Sequence, residues 1–212
     1  MFVRARKDEH KETRREAILA AGLALWNDGT RWGDFTMSDV AARAGLVKGT
    51  LYLYYATKEQ LFLALLGRLL GEYFEGVERR LAEGGRWSKR RVARLVAAEL
   101  QAHERFVRML PLMASVLEQN VDYDAALAFK RVTLERFVRA SESIALRTSL
   151  PLNDALRFLL RASALVTGLA GMAYPSPVVA EVFEKETALR VLRIDLQTEV
   201  AASLAALLEG TP

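Results

Sequence analysis

The 212-residue sequence contains no cysteine, which excludes disulfide bonds and thiolate chemistry. It has only two histidines, His10 and His103, which lie far apart in the chain. There is no HExxH motif, no glycine-rich phosphate loop and no nucleophile elbow, so an enzyme finds little support. We therefore expect neither a cofactor nor a bound metal.

Long apolar runs are missing as well. No uninterrupted run reaches the ~18 to 20 residues of a membrane helix, and the basic N-terminus lacks the apolar core of a signal peptide. Half of the residues are hydrophobic and only five are proline, which is typical of a globular, mainly helical protein. These features favour a cytoplasmic protein that does not engage a membrane.

Positive and negative charges are nearly balanced, because the chain has 30 Lys and Arg residues and 26 Asp and Glu residues. The net charge of +4 therefore does not indicate a nucleic-acid partner by itself. Arg4, Arg6 and Lys7 form a short basic arm before a first helix that we expect to begin at about Asp8. Such an arm could follow DNA phosphates or could simply be a solvated tail.

The strongest pattern runs from residue 36 to residue 62, TMSDVAARAGLVKGTLYLYYATKEQLF. Thr36 is a good N-cap, apolar residues then recur at helical spacing, and Gly45 supplies the left-handed residue that ends a helix. A second short helix is expected over residues 48–55. Two short helices joined by a glycine turn predict a helix-turn-helix whose second helix lies in a DNA major groove, with a plain helical hairpin as the alternative.

The second helix carries side chains suited to DNA. Lysines neutralise phosphates, tyrosine hydroxyls can bond phosphate oxygens, and Thr50 can bond a base edge. Gly49 costs about 1 kcal/mol relative to alanine in a helix, which makes sense where a phosphate approaches the backbone closely. We expect Tyr55 to be a core residue. The predicted DNA-contacting residues are Thr36, Ser38, Lys48, Gly49, Thr50, Tyr52, Tyr54 and Lys58.

These residues resemble the TetR family of bacterial transcriptional regulators over roughly the first 65 residues. The matching positions are Thr36, Val40-Ala41, Ala44-Gly45, Gly49-Thr50-Leu51-Tyr52, Tyr54-Tyr55 and Lys58-Glu59-Gln60-Leu61. Val47 departs from the pattern, because the family often has Ser or Thr there, and Leu53 is apolar at a variable position. The resemblance implies an all-α fold with a three-helix DNA-binding domain over residues 1–56. An effector-binding and dimerisation bundle would follow over 57–212, with helix 4, at about 57–84, linking the two.

The remainder of the sequence also predicts helices. Gly84-Gly85 ends helix 4, the next helix runs to about Met109, and Pro111 restarts a shorter one. We expect a last helix over residues 186–208. The final two helices carry apolar and small residues that could form a four-helix interface in a homodimer, as the resemblance implies, or could pack in their own subunit. The predicted interface residues are Leu165, Gly168, Leu189, Leu192, Leu196, Val200 and Leu204.

The resemblance further implies a small effector in the C-terminal bundle, bound between helices 4, 5 and 7. The lack of an obvious polar cluster favours an apolar or amphipathic effector. Candidate lining residues are Met109, Met113, Leu117, Tyr123, Phe129, Phe137 and Met172, with His103 or Arg105 as a polar anchor, although ordinary core packing is the alternative.

The sequence thus predicts a ligand-responsive repressor. It would bind a palindromic double-stranded DNA operator as a homodimer and release it when the effector binds. The alternative is a DNA-binding regulator or architectural protein that has no effector.

Overall fold

A computed structural model describes residues 2–210 of the chain, with side chains from residue 10 onward. Within that range the chain forms ten α-helices and no β-strand, so the predicted all-α fold is confirmed. The helices are α1 (Phe2–Asn27), α2 (Met37–Arg43), α3 (Lys48–Tyr52), α4 (Lys58–Ala82), α5 (Lys89–Ala102), α6 (Glu104–Leu112), α7 (Tyr123–Arg147), α8 (Leu152–Ala173), α9 (Pro177–Lys185) and α10 (Leu196–Glu209).

The chain divides into two compact units. The first unit contains residues 2–67 together with residues 113–129, and the second contains residues 68–112 and 130–210. The division falls inside α4, and the first unit takes in a segment from the middle of the chain. The domain boundary at residue 57 stays a prediction.

An aromatic cluster forms the centre of the first unit. The ring of Phe62 meets Trp26, Trp32 and Phe35 edge to face, with centroid separations of 5.5, 4.7 and 4.4 Å. Such edge-to-face pairs add to the burial of large apolar surface. Because Phe62 lies in the first turns of α4 and Phe35 directly precedes the α2 cap, this cluster fixes α4 against the loop that leads into α2.

The second unit is a helical bundle in which α5 packs on α10, and α8 packs on α6 and α10. Aromatic residues of α4 fill part of its core. Tyr73 stacks on Phe106 with centroids 5.4 Å apart, and Phe74 meets Phe137 edge to face at 5.3 Å. These side chains occupy the space between α4, α6 and α7 with core packing.

A buried acid lies in the same core. The side chain of Glu99 is 6% exposed, and its Oε1 accepts a hydrogen bond of 2.8 Å from Arg80 Nη1. Its Oε2 lies 3.8 Å from Nδ1 of His103. A Cβ atom added to Gly76 would come closer to Glu99 Oε2 than van der Waals radii allow. Gly76 thus makes room for the glutamate.

The first helix begins earlier than the sequence predicts. It starts at Phe2 instead of about Asp8, so the backbone of Arg4, Arg6 and Lys7 is helical and does not form an extended arm. The side chains of these three residues lie outside the described part of the chain.

The predicted helix from residue 89 to Met109 is two helices. At His103 the backbone leaves the helical region (φ −114°, ψ 46°), which ends α5. Pro111 lies inside α6 and does not restart a helix, and a π-helical turn follows over Met113–Leu117. Proline lacks the N–H that an α-helix needs, and a wider turn is one way for the chain to continue after it.

The predicted last helix is also divided. Residues 187–192 form a 3₁₀ turn after α9, and α10 begins only at Leu196. Asp195 caps α10, because its Oδ1 accepts a hydrogen bond of 2.8 Å from the N–H of Thr198. The sequence analysis missed this cap, and with it the helix start.

By length and composition alone, α8 could cross a membrane. The sequence analysis expected no membrane helix, because no uninterrupted apolar run is long enough. The most apolar window of α8 has a mean hydropathy of 1.3, and 33% of that window is buried. This is weak evidence, because the core helix of a soluble protein passes the same test. Asp154, Arg157 and Arg161 lie within the helix, which does not favour a lipid environment.

Candidate nucleic-acid interface

The turn between α2 and α3 has the geometry that the sequence predicts. Thr36 caps α2: its Oγ1 accepts from the N–H of Asp39 at 3.2 Å and donates to Asp39 Oδ2 at 2.6 Å. Gly45 adopts a φ of +67°, the left-handed region that favours glycine. The N–H of Leu46 donates to the carbonyl of Ala41 at 2.8 Å, and this bond closes a Schellman motif.

Two inward residues set the orientation of α3. Leu51 is fully buried and Tyr55, four residues later, is 3% exposed, so the core prediction for Tyr55 agrees with the structure. The hydroxyl of Tyr55 accepts a 3.3 Å hydrogen bond from Arg15 Nε of α1. Burial raises the pKa of Tyr55, which keeps its hydroxyl protonated. This hydrogen bond joins the residues that directly follow α3 to α1.

The opposite face of α3 is open. Lys48 and Gly49 are exposed, Tyr52 is 43% exposed, and Thr50 and Tyr54 are half-buried. Among the described residues, no atom lies within 4 Å of a Cβ added to Gly49, so none of them requires glycine there. Three of the predicted DNA-contacting residues are therefore exposed on α3, and two more, Thr50 and Tyr54, are half-buried.

The remaining three predicted residues have different surroundings. Lys58 Nζ donates to the carbonyl of Trp32 at 2.8 Å and lies 4.0 Å from the centre of its ring. An ammonium group has three donors, so this anchor leaves Lys58 able to bind a phosphate. Ser38 is exposed, whereas the hydroxyl of Thr36 already donates to Asp39, which makes helix capping its principal role.

A hydrogen-bonded bridge through Gln60 escaped the sequence analysis. Gln60 Oε1 accepts from the N–H of Ala56 at 2.8 Å, and its Nε2 donates to Asp122 Oδ2 at 2.7 Å. The other oxygen of Asp122 accepts from the N–H of Ala125 and caps α7. The N–H of Gln60 also donates to Thr57 Oγ1 at 3.1 Å, a local cap, whereas its partner 62 residues away left no local signal in the sequence.

The nine predicted effector-lining residues differ in their burial and in the unit to which they belong. Tyr123 is 77% exposed and Met172 is 54% exposed. Four of the nine, Met113, Leu117, Tyr123 and Phe129, belong to the first unit, and His103, Arg105, Met109, Phe137 and Met172 belong to the second. Met109 and Phe137 are buried core residues, and the lining as a set stays a prediction.

A cavity of about 250 Å³ lies elsewhere in the second unit, where α5, α6, α8 and α10 meet. Its apolar lining residues are Ala97, Leu100, Val107, Val166, Leu196 and Val200, and its polar ones are Gln101, Glu104, Tyr174, Asp195 and Gln197. Gln101 Nε2 donates to Gln197 Oε1 at 2.9 Å and ties α5 to α10. Burial, followed by the charge of Glu104, raises the pKa of Tyr174. Both charged lining residues are acidic.

The predicted interface residues also separate into two groups. Val200 is 2% exposed and Leu204 is fully buried, so both belong to the core of their own subunit and are unavailable to a partner. The two residues lie four positions apart on α10, so they share the face of the helix that packs on α5. Leu196 lines the cavity and Leu165 is half-buried, whereas Gly168, Leu189 and Leu192 are exposed.

Comparison with known proteins agrees with the helix-turn-helix. The sequence model of the bacterial regulatory proteins of the tetR family matches residues 18–65. The model of the tetracyclin repressor-like C-terminal domain matches residues 67–212. The chain is 37% identical over 68 residues to the HTH-type transcriptional regulator TtgR of Pseudomonas putida, a match of 32% of this chain and 31% of that protein. It is 26% identical over 157 residues to the HTH-type transcriptional regulator BetI of Rhizobium meliloti, covering 74% and 75% of the two chains.

The fold has a counterpart among solved structures. A TetR transcriptional regulator from Rhodococcus sp. RHA1 matches with a TM-score of 0.59 and 15% identity, covering 96% of this chain and all of the other. The match to TtgR spans only about a third of that relative, whereas the C-terminal family model alone covers more than half of this chain. The protein therefore belongs to the TetR family of bacterial transcriptional regulators.

Proposed function

We propose that the protein is a ligand-responsive transcriptional repressor that binds double-stranded DNA through the outward face of α3. The observation that carries this proposal is the contrast between the two faces of that helix. Leu51 and Tyr55 anchor one face in the core, and Lys48, Gly49 and Tyr52 lie exposed on the other. In a helix-turn-helix this outward face enters the major groove.

The test uses an operator selected from random DNA by the purified full-length protein. Lys48→Ala should weaken binding to all sequences and lower the salt slope by about one unit for each half-site. Lys185→Ala, which removes an exposed lysine of α9, serves as the control and should leave the slope unchanged. A slope that stays constant in the Lys48 variant would remove the phosphate contact.

We expect Thr50 to contact a base, whereas Lys48 contacts a phosphate. Thr50 is half-buried on α3, and a threonine hydroxyl can form a hydrogen bond to a base edge. Thr50→Ala should change the preferred bases in a repeated selection. Equal loss of affinity on every sequence would argue against a base-reading role.

The repressor acts as a homodimer on a palindromic operator in this proposal, because a helix-turn-helix of this kind reads two half-sites. The exposed apolar residues near α8 and before α10, above all Leu189 and Leu192, support an interface there. Leu192→Glu should yield monomers with weak DNA binding in sedimentation at fixed protein concentration. Leu146→Glu changes a leucine of α7 that is 79% exposed and should stay dimeric. A dimeric Leu192 variant with normal affinity would move the interface elsewhere.

We propose the cavity between α5, α6, α8 and α10 as the effector site. Its volume lies below the roughly 300 Å³ at which pockets for drug-sized ligands begin, so the effector is a smaller molecule. An apolar floor with Glu104 and Asp195 as its charged residues suits an amphipathic molecule with a cationic group. A regulator without any effector is the alternative.

Native mass spectrometry of protein purified from its source tests this assignment, because it reports dimer and retained ligand together. Glu104→Gln keeps the shape of the cavity and removes one charge, so it should reduce the retained ligand while leaving operator affinity intact. Glu118→Gln provides the same chemical change outside the cavity lining. Ligand retained equally by both variants would argue against this cavity.

Other parts of the proposal rest on the family. Transcriptional regulators act where the chromosome is, so we propose a cytoplasmic protein that works without catalysis and without a cofactor. We keep residues 1–56 as the segment that carries the DNA-binding helices. The continuous helix α4, which contributes to both units, is the element through which an effector would change operator affinity.

A further inference from the structure

Two apolar side chains stand on the surface of the recognition helix. Leu53 is 81% exposed and Val47 is 74% exposed, and they follow and precede the five residues of α3. Neither can neutralise a phosphate or form a hydrogen bond to a base. On a surface proposed to face DNA, their side chains can make only apolar contacts.

The geometry of α3 places Leu53 on the outermost line of the helix. Successive residues of an α-helix are rotated by about 100°, so Leu53 lies opposite Leu51 and Tyr55, which are buried. Gly49, one turn earlier on the same outward line, has no side chain and no neighbouring atoms. The outward surface is thus an open strip of backbone followed by one leucine.

Val47 lies at the other end of α3, directly before its first residue. It is the N-cap residue of α3 and makes no side-chain capping bond, so its side chain is not needed to start the helix. Its carbonyl accepts from the N–H groups of Thr50 and Leu51, which the backbone alone provides. A serine or threonine would cap better here. Among the described residues, the Val47 side chain therefore has no capping role.

The major groove offers one apolar group, the C5-methyl of thymine. Aliphatic side chains gain free energy when they cover such a group, because both surfaces leave water. We infer that Leu53 and Val47 read thymine methyl groups in the operator, and that each half-site carries a thymine opposite each of them. This inference rests on the proposed DNA-binding function and adds the base that these two residues select.

The expected loss of operator affinity follows from the free energy of burying one thymine methyl group. Loss of one methyl contact corresponds to about a fourfold loss of affinity, and loss in both half-sites to about 15-fold. These losses should be nearly independent of salt, because no phosphate contact changes.

The experiment replaces thymine by deoxyuridine, which lacks only the methyl group, at each position of an operator selected by the full-length protein. At the thymine read by Leu53, wild-type protein should lose about fourfold per half-site, and Leu53→Ala should bind both versions equally. Val47→Ala should lose its response at a different thymine. Leu146→Ala, which truncates an equally exposed leucine on α7, should keep the full wild-type pattern.

The possible results distinguish failure of methyl reading from failure of the proposed repressor function. An operator that binds tightly and tolerates deoxyuridine at every position would overturn methyl reading and leave the repressor proposal intact. Methyl sensitivity that persists in both alanine variants would assign it to other side chains and would also overturn the inference. Failure to enrich any DNA sequence would overturn the proposed function and this inference with it.

Discussion

Replacing Gly49 by alanine should move protein stability and DNA affinity in opposite directions. No atom lies within 4 Å of the added Cβ, and the left-handed glycines among the described residues are Gly29 and Gly45, not Gly49. Alanine is therefore free of strain at this position. Its higher helix propensity stabilises the fold by up to about 1 kcal/mol, which raises the Tm by about 2–4 °C in a chain of this size.

The same methyl group should weaken DNA binding. If a phosphate or base edge approaches the Gly49 backbone, the added group overfills a close contact, which costs about 1–3 kcal/mol in each half-site. This corresponds to roughly a 5- to 150-fold loss of affinity per half-site.

Thermal unfolding at fixed protein concentration and fluorescence anisotropy with labelled operator measure the two effects separately. Gly85→Ala is the matched control, because its Cβ also meets nothing within 4 Å and it lies outside the DNA-binding unit. It should change neither quantity by much. A stabilised Gly49 variant with unchanged operator affinity would refute the close approach of DNA to the Gly49 backbone. A destabilised variant would refute the open space around the added Cβ atom.

Three further predictions concern stability and coupling. Gly76→Ala should lower the free energy of unfolding in urea by about 2–4 kcal/mol, because it displaces the buried Glu99 from Arg80, and it should be harmless in a Glu99→Ala background. Thr36→Ala removes the α2 cap and should cost about 1 kcal/mol of stability, checked by thermal unfolding; an unchanged Tm would mean that another group caps the helix. Operator DNA should weaken effector binding by the factor by which effector weakens operator binding, and equal effector affinities in calorimetric titrations with and without operator would remove the switch.

Local signals in the sequence were enough to predict the helix-turn-helix. The Thr36 cap and the Gly45 turn depend on residues within five positions of one another, and the burial of Leu51 follows from helical periodicity. Adjacent residues determine the conformation of such segments, so predicting the fold class and the helix-turn-helix needed no tertiary information.

Arrangements that depend on distant residues could not be predicted in the same way. The apolar stripe on α10 was equally compatible with a partner subunit and with the protein's own core. Burial of Val200 and Leu204 in the structure decides for the core. The cavity likewise combines residues from Ala97 to Val200, and no local pattern indicates which apolar residues border a gap and which fill one.

The Gln60 bridge has a consequence for how regulators of this kind can be recombined. The DNA-binding unit is not a continuous piece of chain, since residues 113–129 belong to it and supply Asp122 to Gln60. A fragment that ends at residue 67 would lose this hydrogen bond, together with the buried Leu117 and Phe129. A chimaera that transfers only the N-terminal helices to another regulator would therefore carry an incomplete unit. Grafting the recognition surface intact requires two separate exchanges, one of them in the middle of the sequence that otherwise builds the second unit.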